Sequence, residues 1–422
     1  MVLCGKSAPN CTLWALGIDH SPYQADPDIA GSGVVAAFIA SAAVTLLVSH
    51  TGLLFNMIES WNDNAIDDWT ARKIQRTGLL RISDKRKDFW RPVMEKVVLS
   101  LSDQQLIAGL AILTAGFLKH CSISVYHFAI VTDLAWFSSN VHLTTLNVLT
   151  RYHRARPTMR NWRVCLMVVT LVMMLAATVL QGHWAWYDSY NCDAQCLFDD
   201  LLGNVSGSPA FWMELNIFLL VFGYGGSFIY LYEPLWTKFE MFFWTVPVKR
   251  TRSGIVALHQ KRMDLRASGS MVAFPAWFVL GSAEILLAMI MVFYVIVAAL
   301  LGSTVFSLYV DILWFAYGLY GIITDRASAS SDMAGNENEM GFGQIVAILL
   351  LASTILTCRE AYVDELIKER SSEVMPTVLD RIKPLADTAE DLQMTFANEG
   401  PPVYPWEPEP VLRQRRVNTG DQ

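Results

Sequence analysis

The sequence predicts an all-α fold: a polytopic transmembrane helix bundle with seven to eight spans and its N-terminus outside. Three observations predict it. The 422 residues are 53% hydrophobic and only 17% charged, with a mean hydropathy of +0.33, an apolar excess over ordinary soluble domains. Apolar runs of about 20 residues follow one another along the chain, the length a helix needs to cross a bilayer. Lys and Arg crowd into alternate loops, the pattern that sets orientation. A large soluble helical protein would instead show amphipathic stripes.

Residues 1–32 form the N-terminal segment. They carry Lys6, several Asp and three Pro without a long apolar stretch, so they do not read as a cleavable signal peptide, and the first span serves as targeting signal. The spans of the bundle, 33–358, are 33–55, 97–119, 122–149, 164–181, 211–232, 271–301 and 303–323, the last two separated only by a turn at Gly302. An eighth candidate, 342–358, has 17 residues, at the short limit for a span. Nine Lys/Arg fall in 56–96, five in 150–163 and seven in 233–270, whereas 183–210 holds none. Those three basic loops are therefore expected in the cytosol and the N-terminus outside.

The sequons at Asn10 and Asn204 both fall on the predicted outer face, where glycosylation occurs. Cys4, Cys11, Cys121, Cys192 and Cys196 fall there too, in surroundings where disulfides persist. At least one of Cys192 and Cys196 is expected to be oxidised, to Cys121 or to an N-terminal cysteine. The final segment is pulled two ways. Its length favours an eighth span and an outer tail, whereas the eight Lys/Arg beyond it favour a cytosolic tail. Long tails obey the charge rule poorly, so eight spans are expected. Residues 359–422 begin as a helix leaving the membrane and end in "PPVYPWEPEPV", a polar, Pro-rich stretch read as disordered.

Ionisable groups within a bilayer are costly and face the bundle interior. Asp103, Asp133, Glu214, Glu284 and Asp311 are so placed, and no Lys or Arg is expected deep in a span beside them. Protonation, water, or His50, His127 and His142 are left to compensate. Tyr126, Asp133, Asn140 and Asn147 recur every seven residues, close to one face of a helix. A lipid-facing polar seam would go unsatisfied, so that face must point inward.

Asp133, Glu284 and Asp311 fall in the middle third of their spans. They predict a carboxylate layer that binds a cation, an amine or protons, or that ties helices together through neutral acids at about 1 kcal/mol each. Asp103 lies roughly 9 Å inside the cytosolic end of the second span. With Ser102, Gln104 and Gln105 it reads as a polar clasp turned toward the third span, below a stretch of small residues between Gly109 and Gly116 that allows close helix contact.

Other patterns exclude functions. There is no basic tract of nucleic-acid type and no zinc-type pairing among the seven Cys, so no nucleic acid, metal or cofactor is expected. The partners expected are the lipid bilayer, a small-molecule ligand and a cytosolic protein held by the loops or tail. "WNDNAIDDW" lacks the final Asp of a diphosphate-binding motif and reads as a solvated acidic loop. "FGYGGSF" lacks the Lys-Ser/Thr ending of a phosphate loop. In topology the chain resembles rhodopsin-like receptors, but its first cytosolic loop is long and it lacks their proline motifs in the sixth and seventh spans.

A closer likeness rests on "DIAGSGV", "LSDQQLIAGLAIL", "YHFAIVTDLAWFSSNVHLTTL", "NWRVCLM" and "GFGQIVAILLL". Together they resemble a family of polytopic integral membrane proteins of filamentous fungi, across about residues 28–358. That resemblance implies an architecture and no activity. The residues themselves support a receptor-like or sensory protein of the plasma membrane or another secretory-pathway membrane. The alternatives are a proton- or cation-linked small-molecule carrier and a membrane-embedded accessory enzyme of a metabolite pathway. Asp103, Tyr126, Asp133, Asn140, Glu284 and Asp311 are the candidates for a ligand or ion pathway.

Overall fold

A backbone within lipid must satisfy its own hydrogen bonds, so apolar runs of this length fold as helices. The computed structural model of the chain describes residues 11, 22–55, 57–58, 64–76, 83–201, 204–267, 274–329 and 333–399. A short strand β1 (Tyr23–Gln24) leads into α1 (Pro27–Ala30), α2 (Ser32–Leu54), α3 (Ala65–Arg76), α4 (Asp84–Leu118) and α5 (Val125–Val148). Then come α6 (Thr150–Ala155), α7 (Pro157–Leu180), α8 (Ala194–Asp199), α9 (Gly207–Leu231) and α10 (Glu233–Glu240). A π-helical turn, Met241–Thr245, joins α10 to α11 (Val246–Ala267). The chain continues through α12 (Phe274–Leu301), α13 (Thr304–Ala329), β2 (Met333–Ala334) and α14 (Phe342–Glu399). Strands β1 and β2 pair in parallel through Tyr23–Met333 and Gln24–Ala334.

Seven of the described helices are long and apolar enough to cross a membrane: α2 with α1, α4, α7, α9, α12, α13 and α14. Helix α5, 24 residues long, matches them in length. It is the most enclosed element, packed by α2, α4, α7, α9 and α13. Phe128, Ile130, Leu134 and Phe137 fill its surroundings with no exposed surface. A helix wrapped by others can carry polar groups because its partners, not lipid, meet them.

Contacts between helices fix their directions. At one end Lys119, just after α4, pairs with Asp26 at 2.8 Å, and the Gly33 N–H in the first turn of α2 donates to Gln344 Oε1 of α14 at 3.0 Å. There too Arg326, near the end of α13, donates to the Ala30 carbonyl. At the other end Lys96 of α4 pairs with Asp364 of α14 at 2.9 Å, and Ser227 of α9 donates to Asn147 of α5 at 3.3 Å. The basic loops mark this second end as the inner, cytosolic one.

One expectation needs correcting. The Gly302 turn was expected on the outer side, between two adjacent spans, and it lies at the inner end. Ser303 Oγ donates to Asp67 Oδ1 at 2.5 Å, and the N–H groups of Thr304 and Val305 donate to Asp67 at 2.8 and 3.1 Å. Asp67 of α3 thus caps α13 from the first cytosolic loop, where a carboxylate at a helix N-terminus is favourable. Asn64 Nδ2 donates to the Ala299 carbonyl beside it at 2.7 Å.

Helix α12 therefore returns to the inner end antiparallel to α11, with Arg262 against Glu284 and Trp244 near Tyr294. Crossing would carry the cations of α11 through the bilayer with it, at about 2.5–3.5 kcal/mol each near the centre. The described helices that run from end to end are α2, α4, α5, α7, α9, α13 and α14. That odd number brings α14 to the inner end at Asp364, which removes the conflict over the basic tail.

The chain divides into two units, Met1–Glu365 and Leu366–Gln422. The bundle is the first. In the second, residues 366–399 are helical. The Pro-rich stretch from residue 400 lies outside the described residues.

Candidate functional site

The polar groups of the bundle form a column along α5. At its outer end the column is closed by Glu337, between β2 and α14, with only 4% of its surface exposed. Tyr126 donates its hydroxyl to Glu337 Oε2 at 2.9 Å, His127 Nε2 lies 3.2 Å from Glu337 Oε1, and Arg326 approaches at 3.8 Å. His127 Nε2 also accepts the Asp26 N–H at 3.1 Å, and its Nδ1 meets Ser124 Oγ at 2.7 Å. One ring nitrogen cannot accept from Asp26 and donate to Glu337 at once, and Glu337 Oε1 is accordingly left without a hydrogen-bond partner.

The motifs "DIAGSGV" and "GFGQ" build the frame of this lid. Gln344 Oε1 accepts from Gly33, while its Nε2 donates to the carbonyls of Glu337 and Glu339 at 3.2 and 2.8 Å. In return Asp28 Oδ1 accepts the Gly343 N–H at 2.8 Å. Gln344 of α14 thus serves an N–H in the first turn of α2, and Asp28 of α1 serves one in the first turn of α14, where such donors lack partners. A Cβ on Gly33 would fall 2.7 Å from Gln344 Oε1, and one on Gly343 2.9 Å from Asp28. The glycines are there because backbone and side chain approach so closely.

Below the lid, Asp133 of α5 faces α13. As a residue it is half-buried, yet its Oδ2 is enclosed and has no hydrogen-bond partner. Asp325 of α13 is near enough for the two carboxyl groups to interact electrostatically, and like charges this close disfavour each other. Tyr190, from the outer loop, donates to Asp325 Oδ1 at 2.8 Å. Burial and Asp325 together hold the Tyr190 hydroxyl above its ordinary pKa, so it stays a donor. Further in, Asn140 Nδ2 donates to the Asp311 backbone carbonyl at 3.3 Å. Asp311 is buried with one oxygen unpartnered, and the nearby Thr144 donates its hydroxyl to the Asn140 carbonyl at 3.0 Å.

The opposite side of α5 is also polar. Ser138 donates to the Gln105 carbonyl, Ser102 Oγ meets His142 Nδ1 at 2.9 Å, and Thr145 donates to Ser102 at 2.6 Å. Tyr224 of α9 donates to Ser139 at 2.9 Å. At the inner end Asp103 accepts both arms of Arg163, at 2.7 and 2.6 Å. This corrects the expectation that no span cation pairs with these acids, and that Asp103 turns to the third span. Arg163 lies two turns inside α7, and α7 begins at Pro157, earlier than its apolar run suggests. A cleft of about 360 Å³ opens here, lined by Ile58, Glu95, Val148, Arg151, Tyr152 and Arg156 among others.

The carboxylate layer is likewise corrected. Asp133 and Asp311 both face the α5–α13 contact, but Glu284 lies apart on α12, held by His259 at 2.9 Å and Arg262 at 3.2 Å. Asp325 and Glu337 hold places that sequence reasoning did not find. Among the cysteines, Cys196 of α8 is joined to Cys11, and Cys121 is disulfide-bonded as well. Cys192 keeps its thiol, buried in the core with Ile123 and Val125. Asn204 lies in the outer loop with its Nδ2 donating to the Asp200 carbonyl at 2.9 Å. Asn10 lies outside the described residues. Among the described residues no cluster of His, Cys, Asp and Glu could hold a metal ion.

No family model matches the chain, and no solved structure does. A protein of Elsinoe fawcettii described as "Elsinochromes biosynthesis cluster protein HP3" is 34% identical over 114 residues. The match covers 27% of this chain and 42% of that protein, less than half of the relative's length.

Proposed function

We propose that the protein is a receptor-like or sensory membrane protein whose ligand is a small organic metabolite. The observation that carries this reading is the reach of α5. Its first turn holds the outer lid through Tyr126 and His127, and its last residue, Val148, lines the inner cleft. One enclosed helix thus touches both ends, so a change at the lid has a direct mechanical route to the cytosolic face. The basic inner cleft suits a cytosolic protein partner. The relative's place in a biosynthesis cluster favours a metabolite as ligand, and the motifs of the lid favour membership of the filamentous-fungal family.

A second reading has its own support. The neighbouring acids Asp133 and Asp325, with an unpartnered Asp133 oxygen between enclosing helices, suit a proton-linked carrier. The two readings separate in vesicles containing the full chain. A fluorophore at Ala155→Cys should respond to metabolite added outside, without metabolite or proton flux, if the protein is a receptor. Flux that disappears in Asp133→Asn while the melting temperature holds would establish the carrier and sink the receptor. Asp133→Leu should lose about 1–3 kcal/mol in either case, because the polar groups around it lose a partner; a fully stable Leu variant would place Asp133 outside the working interior.

A further inference from the structure

The hairpin of α11 and α12 stands apart from the polar column and has two chemically opposite layers. On the side toward α11, α12 presents Trp277, Gly281 and Glu284, with Arg262 lying over the Trp277 ring and pairing with Glu284. On the other side Phe278, Ile285, Met289, Phe293 and Ile296 are all exposed, and none of the most apolar window of α12 is buried. Helix α11 supplies the opposite chemistry. Lys249, Arg250, Arg252, Lys261 and Arg266 are exposed, and no ion pair holds them among the described residues. Its single acid is Asp264.

We propose that this hairpin lies in the cytosolic surface of the bilayer that the bundle crosses, with α12 sunk among the acyl chains and α11 gripping anionic lipid headgroups. Three observations converge on that occupant. Both connections of the hairpin to the bundle, at Tyr232 and at Ser303, are at the inner end, where Tyr232 reaches Asn161 and Ser303 reaches Asp67. An apolar layer under a basic layer matches the order of acyl chains and anionic headgroups in that leaflet. Among the described residues the one acid of α12, Glu284, is met by Arg262 and His259 of α11, so the apolar layer is not left with an unpaired carboxylate. Crossing is barred by the cations of α11, and water is a poor solvent for the apolar face.

The test uses the full chain in vesicles, with Cys165→Ser and Cys358→Ser removing accessible thiols and a bimane label at Met289→Cys. Vesicles contain phosphatidylcholine alone or with phosphatidylserine, brominated either near the headgroup or at the chain end. Quenching about twofold stronger from shallow than from deep bromines is expected, together with protection from iodide. Both should depend on phosphatidylserine and should be lost in Lys249→Glu/Arg250→Glu/Arg252→Glu, whose melting temperature should match the parent because these side chains are exposed. Stronger quenching by deep bromines would mean that α12 spans. Iodide quenching in anionic vesicles, or equal results with and without phosphatidylserine, would equally overturn the proposal.

Discussion

His153 shows how a single side chain records the character of the inner end. It is 2% exposed in α6, with Arg163 Nη1 3.4 Å from its Nδ1. Burial first, then Arg163 and the nearby His142, Arg160 and Arg156, push its pKa down from 6.5 to about 3. The unfolded chain binds a proton below about 6.5 that the folded chain refuses until about 3. Stability is therefore fully present above that upper value and falls as the pH drops through the window. Between pH 6.5 and 5 the loss should be about 1–2 kcal/mol, and His153→Gln should flatten the profile. Melting curves in detergent across that range check it; parallel profiles for the two proteins would refute it. Sequence reading reached this end only partly. It found Asp103 and the polar residues about it, but counted Arg163 as a loop residue because it is charged. A long guanidinium side chain can start two turns inside a helix and still reach a wet, polar boundary.

At the scale of elements, the reciprocal hold of α2 and α14 is the contact most sensitive to one added carbon. Gly33→Val should cost about 1–3 kcal/mol through overpacking against Gln344. Gln344→Ala should cost about 1–2 kcal/mol through unpaired N–H and carbonyl groups. Because both changes act on one contact, the double variant should lose less than the sum, by about 0.5 kcal/mol or more. Thermal melting of the three variants measures it, and strict additivity would mean that the two residues act separately. Most helices were legible because an apolar run and a helix in lipid are the same physical statement. Helix α12 meets the same rule with its 28 residues, and the proposal that it lies in the surface rests on the partner it packs on. Pairing with a basic helix is a tertiary fact that hydropathy along one segment cannot express.

For the whole molecule the testable quantity is sidedness. An epitope at the N-terminus should be reached by antibody on intact cells, whereas one at the C-terminus should be reached only after permeabilisation. Glycosidase should shift the mass, and Asn10→Gln with Asn204→Gln should abolish the shift. A C-terminal epitope accessible on intact cells would contradict the odd number of crossings. The alternation of the first five spans was readable from the sequence, and their expected orientation rests on loop charge. The parity of the last three was not, because it depends on Asp67 reaching across 236 residues to Ser303. The carboxyl pair was half legible: Asp133 stood out inside an apolar run, whereas Asp325 sat at a helix end where an acid is unremarkable.

The hold between Gly33 and Gln344 joins residues 311 apart in the chain. During synthesis at about 5–20 residues per second, the first span waits roughly 15–60 s before its partner exists. Throughout that interval the opening turn of α2 has no side chain to answer its amides, and Asp28 has no glycine to cap. The last crossing segment to be made is α14, so a ribosome that stalls before residue 342 leaves a bundle without it. Quality control in the membrane thus has a defined moment at which to distinguish a finished molecule from an unfinished one.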